Sequence, residues 1–179
     1  LQTGENELMV SVWDPSNRGL QQRGKQVLKP KGIWYTAVSG IWQTVWLESV
    51  PEISIASMKL TPNLSGESLQ VEVTLRGDKI PEDLFLDISD KVGDTIQCPV
   101  KGATSCATLP VPNPHPWCPS DPFLYDLKIR LIQGKVILDE VGSYYAMRSF
   151  GIKADKDGFP RIMLNGKPIF LYGPLDQGY

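Results

Sequence analysis

Apolar and polar residues alternate with a period of two along most of the chain. In SLQVEVTLRG, residues 68–77, Leu69, Val71, Val73 and Leu75 fall on one side and Gln70, Glu72, Thr74 and Arg76 on the other. Successive side chains of a strand point to opposite faces, so this pattern predicts a strand with one buried face. DLFLDIS (83–89) repeats it with Leu84, Leu86 and Ile88, and FLYDLKIRLI (123–132) with Phe123, Tyr125, Leu127, Ile129 and Leu131. EISIASMKLTP (52–62) and VILDEVGSYYAMRSF (136–150) read as further extended segments, and weaker strands are predicted over 92–98 and 104–109. Gly, Pro, Asn and Asp punctuate these runs, and helical periodicity is nearly absent. About seven short strands in about 100 residues is the pattern of an immunoglobulin-like β-sandwich.

Three stretches depart from simple alternation. SGIWQTVWLESVP (39–51) predicts a strand with two apolar faces, Ile41, Val45 and Leu47 against Trp42 and Trp46. Such a strand is expected at a junction between layers, ended by Pro51, which cannot continue a central strand. PVPNPHPWCPSDP (110–122) holds six prolines and cannot join a ladder. It reads as a stiff crossover packing Trp117 on the sandwich rim, ahead of a ligand for a proline-binding domain. The last thirty residues read as strand, turn, strand, turn, strand. Asn165-Gly166 between apolar runs predicts a type I′ hairpin turn. Asp155-Lys156-Asp157-Gly158 lacks the spaced ligands of a calcium loop and reads as a turn. PIFLYG (168–173) reads as an apolar strand, which cannot bury itself without further chain.

Composition removes whole classes of function. The 179 residues carry 18 Lys and Arg against 20 Asp and Glu, and no basic cluster is dense enough to track a phosphate backbone, so nucleic acid is not an expected partner. No apolar run reaches the length of a membrane helix and no signal peptide opens the chain, so a membrane is not expected either. The opening LQTGENELMVSVWDPS reads as if it began inside a domain.

Three cysteines, Cys98, Cys106 and Cys118, are too few for a disulfide scaffold. Free thiols are the expected state, with a Cys98–Cys106 bridge as the alternative. Zinc held by the cysteines and His115 lacks paired C-x-x-C clips. Asn63-Leu64-Ser65 fits a glycosylation acceptor and, more simply, a polar turn. Trp13, Trp34, Trp42, Trp46 and Trp117 admit a sugar-stacking platform, but core or interface packing is the favoured reading. No nucleophile–base, metal, P-loop or dinucleotide motif occurs. No cofactor, metal or catalytic residue is therefore assigned.

Four segments, in order, resemble glycoside hydrolase family 2, the β-galactosidase and β-glucuronidase family. GIWQTVWLESVP is similar to the close of that family's jelly-roll domain. PWCPSDPFLYDLKIRL resembles its W-x-P-x-x-P-x-L-Y-x-L pattern, here Trp117, Pro119, Pro122, Leu124, Tyr125 and Leu127. SYYAMRSFGI, with Met147, Arg148 and Phe150, resembles the exit from the sandwich, and LNGKPIFLYG (164–173) the entry to the catalytic (β/α)8 barrel.

The resemblance implies an all-β chain: the tail of a sugar-binding-like jelly roll at 1–50, an immunoglobulin-like sandwich at 51–148, and a hairpin leading into the first strand of a truncated barrel at 149–179. It implies a parent enzyme that hydrolyses O-glycosyl bonds, with its catalytic glutamates on later barrel strands. The fragment is then expected to be inactive alone. Where many members carry an Asn-Arg-His-Glu-type stretch, this chain has Pro174-Leu175-Asp176-Gln177, which makes Asp176 and Gln177 candidates for contacts to substrate hydroxyls. A carbohydrate substrate for the parent is implied, a periplasmic or extracellular bacterial setting is favoured, and exposed strands leave a homo-oligomer open. The competing reading is a free-standing carbohydrate-binding or adhesion module.

Overall fold

The computed structural model describes residues 2–90 and 95–177, and the chain forms strands without a helix among them. In chain order these are β1 Gln26–Val27, β2 Tyr35–Thr36, β3 Ser54–Asn63, β4 Ser68–Arg76, β5 Leu84–Asp90, β6 Thr95–Pro99, β7 Thr104–Pro110, β8 Tyr125–Gln133, β9 Val136–Tyr145, β10 Phe150–Ala154, β11 Pro160–Leu164 and β12 Lys167–Pro168. Residues 49–170 make one compact unit; residues 2–48 with 171–177 make another.

The larger unit is built on the predicted alternation. Strands β3-β4-β7 form one antiparallel sheet and β6-β5-β8-β9 a second, a seven-strand sandwich of immunoglobulin-like type. Leu69, Val71 and Val73 of β4 face Leu84, Leu86 and Ile88 of β5 and Leu127, Ile129 and Leu131 of β8 in one buried core. Burying each such side chain stabilises the fold by about 1.5–3 kcal/mol. Phe123 departs from its expected place: it precedes β8, stays exposed, and stacks on His115 with ring centroids 4.4 Å apart. Of the weaker strands, 104–109 is β7, and 92–98 is represented by β6 from Thr95 onward, residues 92–94 lying outside the described residues.

The edge strands β3 and β9 are tied together where both are irregular. The β3 register skips between Ile55 and Ser57, and the β8–β9 register shifts between Leu131 and Ile132. The Ile55 amide donates to Asp139 Oδ2 at 2.7 Å, so the bulge gives a backbone donor a partner across the sheets. On the outer face of the four-stranded sheet, Asp87, Arg130 and Glu140 stand directly opposite one another on β5, β8 and β9. Arg130 Nε donates to Glu140 Oε2 at 2.7 Å, and Lys128 Nζ lies 3.2 Å from Oε1. The Arg130 hydrogen bond is the main cause that holds the Glu140 carboxyl below its usual range.

Cys98 lies in β6 and Cys106 in β7. These strands belong to different sheets, so the two are not cross-strand neighbours, and all three cysteines are free.

The hairpin β10–β11–β12 continues from the sandwich. Its Asn165-Gly166 turn has φ of 51° and 77°, the double positive φ of a type I′ turn. After β12 the Ile169 amide still donates to the Ile162 carbonyl at 3.0 Å, but the rest of PIFLYG joins no ladder. Among the described residues no strand pairs with it beyond that bond.

The smaller unit has one parallel ladder, β1 with β2, and its buried residues are polar, Ser16 and Gln26. The strand expected over 39–51 is not formed, because among the described residues no second strand runs beside it to make a ladder. Its apolar residues are exposed on both faces: Ile41, Trp42, Val45, Trp46 and Leu47 are all between 51% and 80% accessible. Trp13 and Trp34 are exposed as well, so the expected core packing of the tryptophans is not seen for these four among the described residues.

Candidate functional site

Asp176 and Gln177 fall in the smaller unit. The Gln177 carbonyl accepts the Lys25 amide at 3.1 Å, and the Lys25 carbonyl accepts the Tyr35 amide at 2.9 Å. The terminal segment is thus moored by its backbone at the start of the β1–β2 pair. The Asp176 side chain is exposed and that of Gln177 partly so.

Trp117 and Tyr125 of the W-x-P-x-x-P-x-L-Y-x-L pattern are anchored elsewhere, at the rim of the sandwich. Proline denies the crossover 110–122 a ladder, so its remaining polar groups find single anchors. Pro116 bridges Met147, and the Trp117 amide donates to the Met147 carbonyl at 2.9 Å. The His115 amide donates to the Tyr125 hydroxyl at 2.7 Å, and His115 Nε2 lies 2.6 Å from Asp121 Oδ2. Tyr125 is buried and stacks on Tyr145 at 4.8 Å. The Tyr145 hydroxyl in turn donates to Asp90 Oδ2 at 3.2 Å. Leu127 is buried in the core, as is Met147 from the following strand exit. These motif residues build a joint.

Arg148 and Asn165 complete the joint. The Arg148 guanidinium carbon sits 5.0 Å from the centroid of Trp117 and 5.0 Å from that of Phe150, within cation–π range of both. Asn165 Nδ2 donates to the Trp117 carbonyl, its Oδ1 accepts the Ser149 amide, and its own amide donates to the Ser149 carbonyl, each at 2.9 Å. One side chain therefore ties the hairpin turn to the start of β10 and to the crossover. The Asn165-Gly166 signal is legible in the sequence, but the reach of its amide to a carbonyl 48 residues away is not.

The Asp155 turn is held by its own carboxylate. Oδ1 accepts the amides of Asp157 and Phe159 at 2.9 Å, and Oδ2 accepts Arg161 Nε at 2.8 Å. The Arg161 hydrogen bond, followed by that of Phe159, keeps this carboxyl below the usual range. Among the described residues no three His, Cys, Asp or Glu side chains converge as a metal site. Asn63 serves a turn, its Oδ1 accepting the Gly66 amide at 2.9 Å. Burial pushes the Cys98 thiol up, partly offset by its hydrogen bond to the Leu86 backbone.

A cavity of about 870 Å³ opens between the end of the three-stranded sheet and the hairpin, bounded by Thr61, Gln70, Thr108, Arg148, Phe150 and Asn165 among others. Hydroxyl and amide side chains share the lining with the apolar Pro62, Leu64 and Phe150.

Comparison with known proteins agrees with this architecture. The model of the glycosyl hydrolases family 2 matches residues 53–148, the span of the sandwich. A Formosa agariphila protein with a provisional β-glucuronidase assignment is 25% identical over 97% of this chain and 21% of its own length. A β-galactosidase of Thermoanaerobacter pseudethanolicus is 23% identical over 86% of this chain and 22% of its own. A crystal structure of a glycosyl hydrolase family 2 member from Bacteroides cellulosilyticus superposes with a TM-score of 0.59 at 22% identity, covering 69% of this chain and 19% of that one. The chain spans about a fifth of the length of each. With more than half of its residues matched by the family model, the chain belongs to the glycosyl hydrolases family 2.

Proposed function

We propose that the chain is a non-catalytic part of an O-glycosidase of β-galactosidase or β-glucuronidase type. Residues 1–50 are the end of a jelly roll, 51–148 the sandwich, and 149–179 the hairpin and first strand of a catalytic barrel. Its role is mechanical: the sandwich and hairpin act as one body that sets the angle between flanking domains. The observation that carries this reading is the joint itself. Trp117, Tyr125, Met147, Arg148 and Asn165 are all engaged in contacts between crossover, strand exit and hairpin. The exposed tryptophans of residues 2–48 fit surfaces that another layer covers. Retaining glycosidases place two carboxylates across one glycosidic bond, and in this reading both belong to the barrel outside residues 1–179. Asp176 and Gln177 remain candidates for contacts to substrate hydroxyls in the assembled enzyme.

Incubating the 179-residue chain with a panel of aryl β-glycosides tests the proposal. No release of aryl alcohol above a denatured control is expected. Turnover by the folded chain would show that it carries a catalytic pair and would overturn the non-catalytic assignment.

A further inference from the structure

We infer that the cavity between the three-stranded sheet and the hairpin is a carbohydrate-binding site that prefers an acidic sugar, a uronate unit. Three observations converge on it. First, Thr61, Gln70 and Thr108 stand directly opposite one another on β3, β4 and β7, forming one exposed row of hydroxyl and amide groups across the sheet. None of the three has a side-chain hydrogen bond among the described residues, so the row presents donors and acceptors at the spacing of adjacent strands, roughly 4.7–4.9 Å. Sugar hydroxyls need that complement.

Second, Phe150 lines the same cavity and is 65% accessible. An open aromatic surface beside a polar row suits a pyranose, whose C–H face is apolar and whose rim is hydroxylated.

Third, Arg148 lines the cavity with its guanidinium carbon 5.0 Å from the ring centroids of both Trp117 and Phe150. A cation–π contact does not consume the N–H groups of a guanidinium, which carries five donors. No carboxylate pairs with Arg148 among the described residues. A guanidinium fork at the edge of a row of hydroxyl and amide groups matches a sugar carboxylate. The volume, about 870 Å³, falls in the range of small-ligand sites and accommodates one or two sugar units.

The test is a titration of the 15N-labelled 179-residue chain with sodium D-glucuronate, D-glucose and sodium acetate, read from amide chemical shifts at low salt. Glucuronate should shift the amides of Gln70, Thr108 and Ser149 saturably, with glucose about tenfold weaker, the cost of one charge-assisted hydrogen bond. Acetate should give no saturable shift. Arg148→Gln should abolish the preference for glucuronate. Gln70→Ala, at an exposed strand position, should keep the dispersed spectrum of a folded chain and weaken both sugars. If Arg148→Gln fails to fold, Gln70→Ala carries the test alone. Absence of saturable shifts at these amides, equal binding of acetate, or unchanged binding by Gln70→Ala would each overturn the site. None of those outcomes bears on aryl-glycoside turnover, so the proposed function stands or falls separately.

Discussion

Replacing Asn165 should loosen the hairpin from the sandwich by a calculable amount. Asn165→Ala removes two side-chain hydrogen bonds, to the Ser149 amide and the Trp117 carbonyl, each with a net contribution of about 0.5–1.5 kcal/mol. It also puts alanine at φ 51°, where a Cβ without a compensating local hydrogen bond costs about 1–2 kcal/mol. The sum is about 2–5 kcal/mol. Asn165→Gly relieves the backbone term and keeps only the hydrogen-bond loss, about 1–3 kcal/mol. Native-state hydrogen exchange at Ile169, whose amide keeps its Ile162 acceptor in both variants, reports hairpin opening. At tenfold per 1.4 kcal/mol, exchange in the alanine variant should rise by about thirtyfold to a few thousandfold, and in the glycine variant by less. Urea unfolding of the sandwich core supplies the global reference. An alanine variant within about 0.5 kcal/mol of the parent, the range of an ordinary surface change, would refute the reasoning. So would a glycine variant that opens as readily as the alanine one.

Two further outcomes follow from the electrostatics and burial. Arg161 holds the Asp155 carboxyl below its ordinary value, so its contribution to hairpin stability is complete above the unfolded value of about 3.9 and is lost as pH falls through the lower folded value. An NMR titration should therefore show the Phe159 amide shifting below pH 4, with the midpoint moving back up in Arg161→Gln; an unmoved midpoint would remove Arg161 as the cause. Iodoacetamide should modify exposed Cys106 well before Cys98, whose thiol is raised by burial; mapping the labelled peptides over time checks the order, and faster loss of Cys98 would contradict it.

The sandwich was legible in the sequence because its strands have one buried and one wetted face. Leu69, Val71, Val73 and Leu75 announce β4 by period alone, and the same holds for β5 and β8. Period fails where both faces are apolar. In 39–51 the alternation of Ile41, Trp42, Val45 and Trp46 satisfies a strand template, yet a strand needs a hydrogen-bonding neighbour, and composition cannot supply one. The same limit applies to PIFLYG. At the joint, the proline crossover and the Asn-Gly turn were each visible locally. Their connection was not, because the Asn165 amide meets a carbonyl of Trp117 through tertiary placement alone. Arg148 shows the converse case. Its motif was recognisable, while its cation–π contacts with Trp117 and Phe150 and its place beside the Thr61–Gln70–Thr108 row depend on tertiary placement.

The account rests on the sandwich and the hairpin moving as one body. Residual dipolar couplings of backbone amides in weakly aligned chain measure that directly. Couplings from β3 to β9 and from β10 and β11 should fit a single alignment tensor. Two tensors of different magnitude or orientation would show the hairpin reorienting on its own and would contradict the mechanical role assigned to the joint.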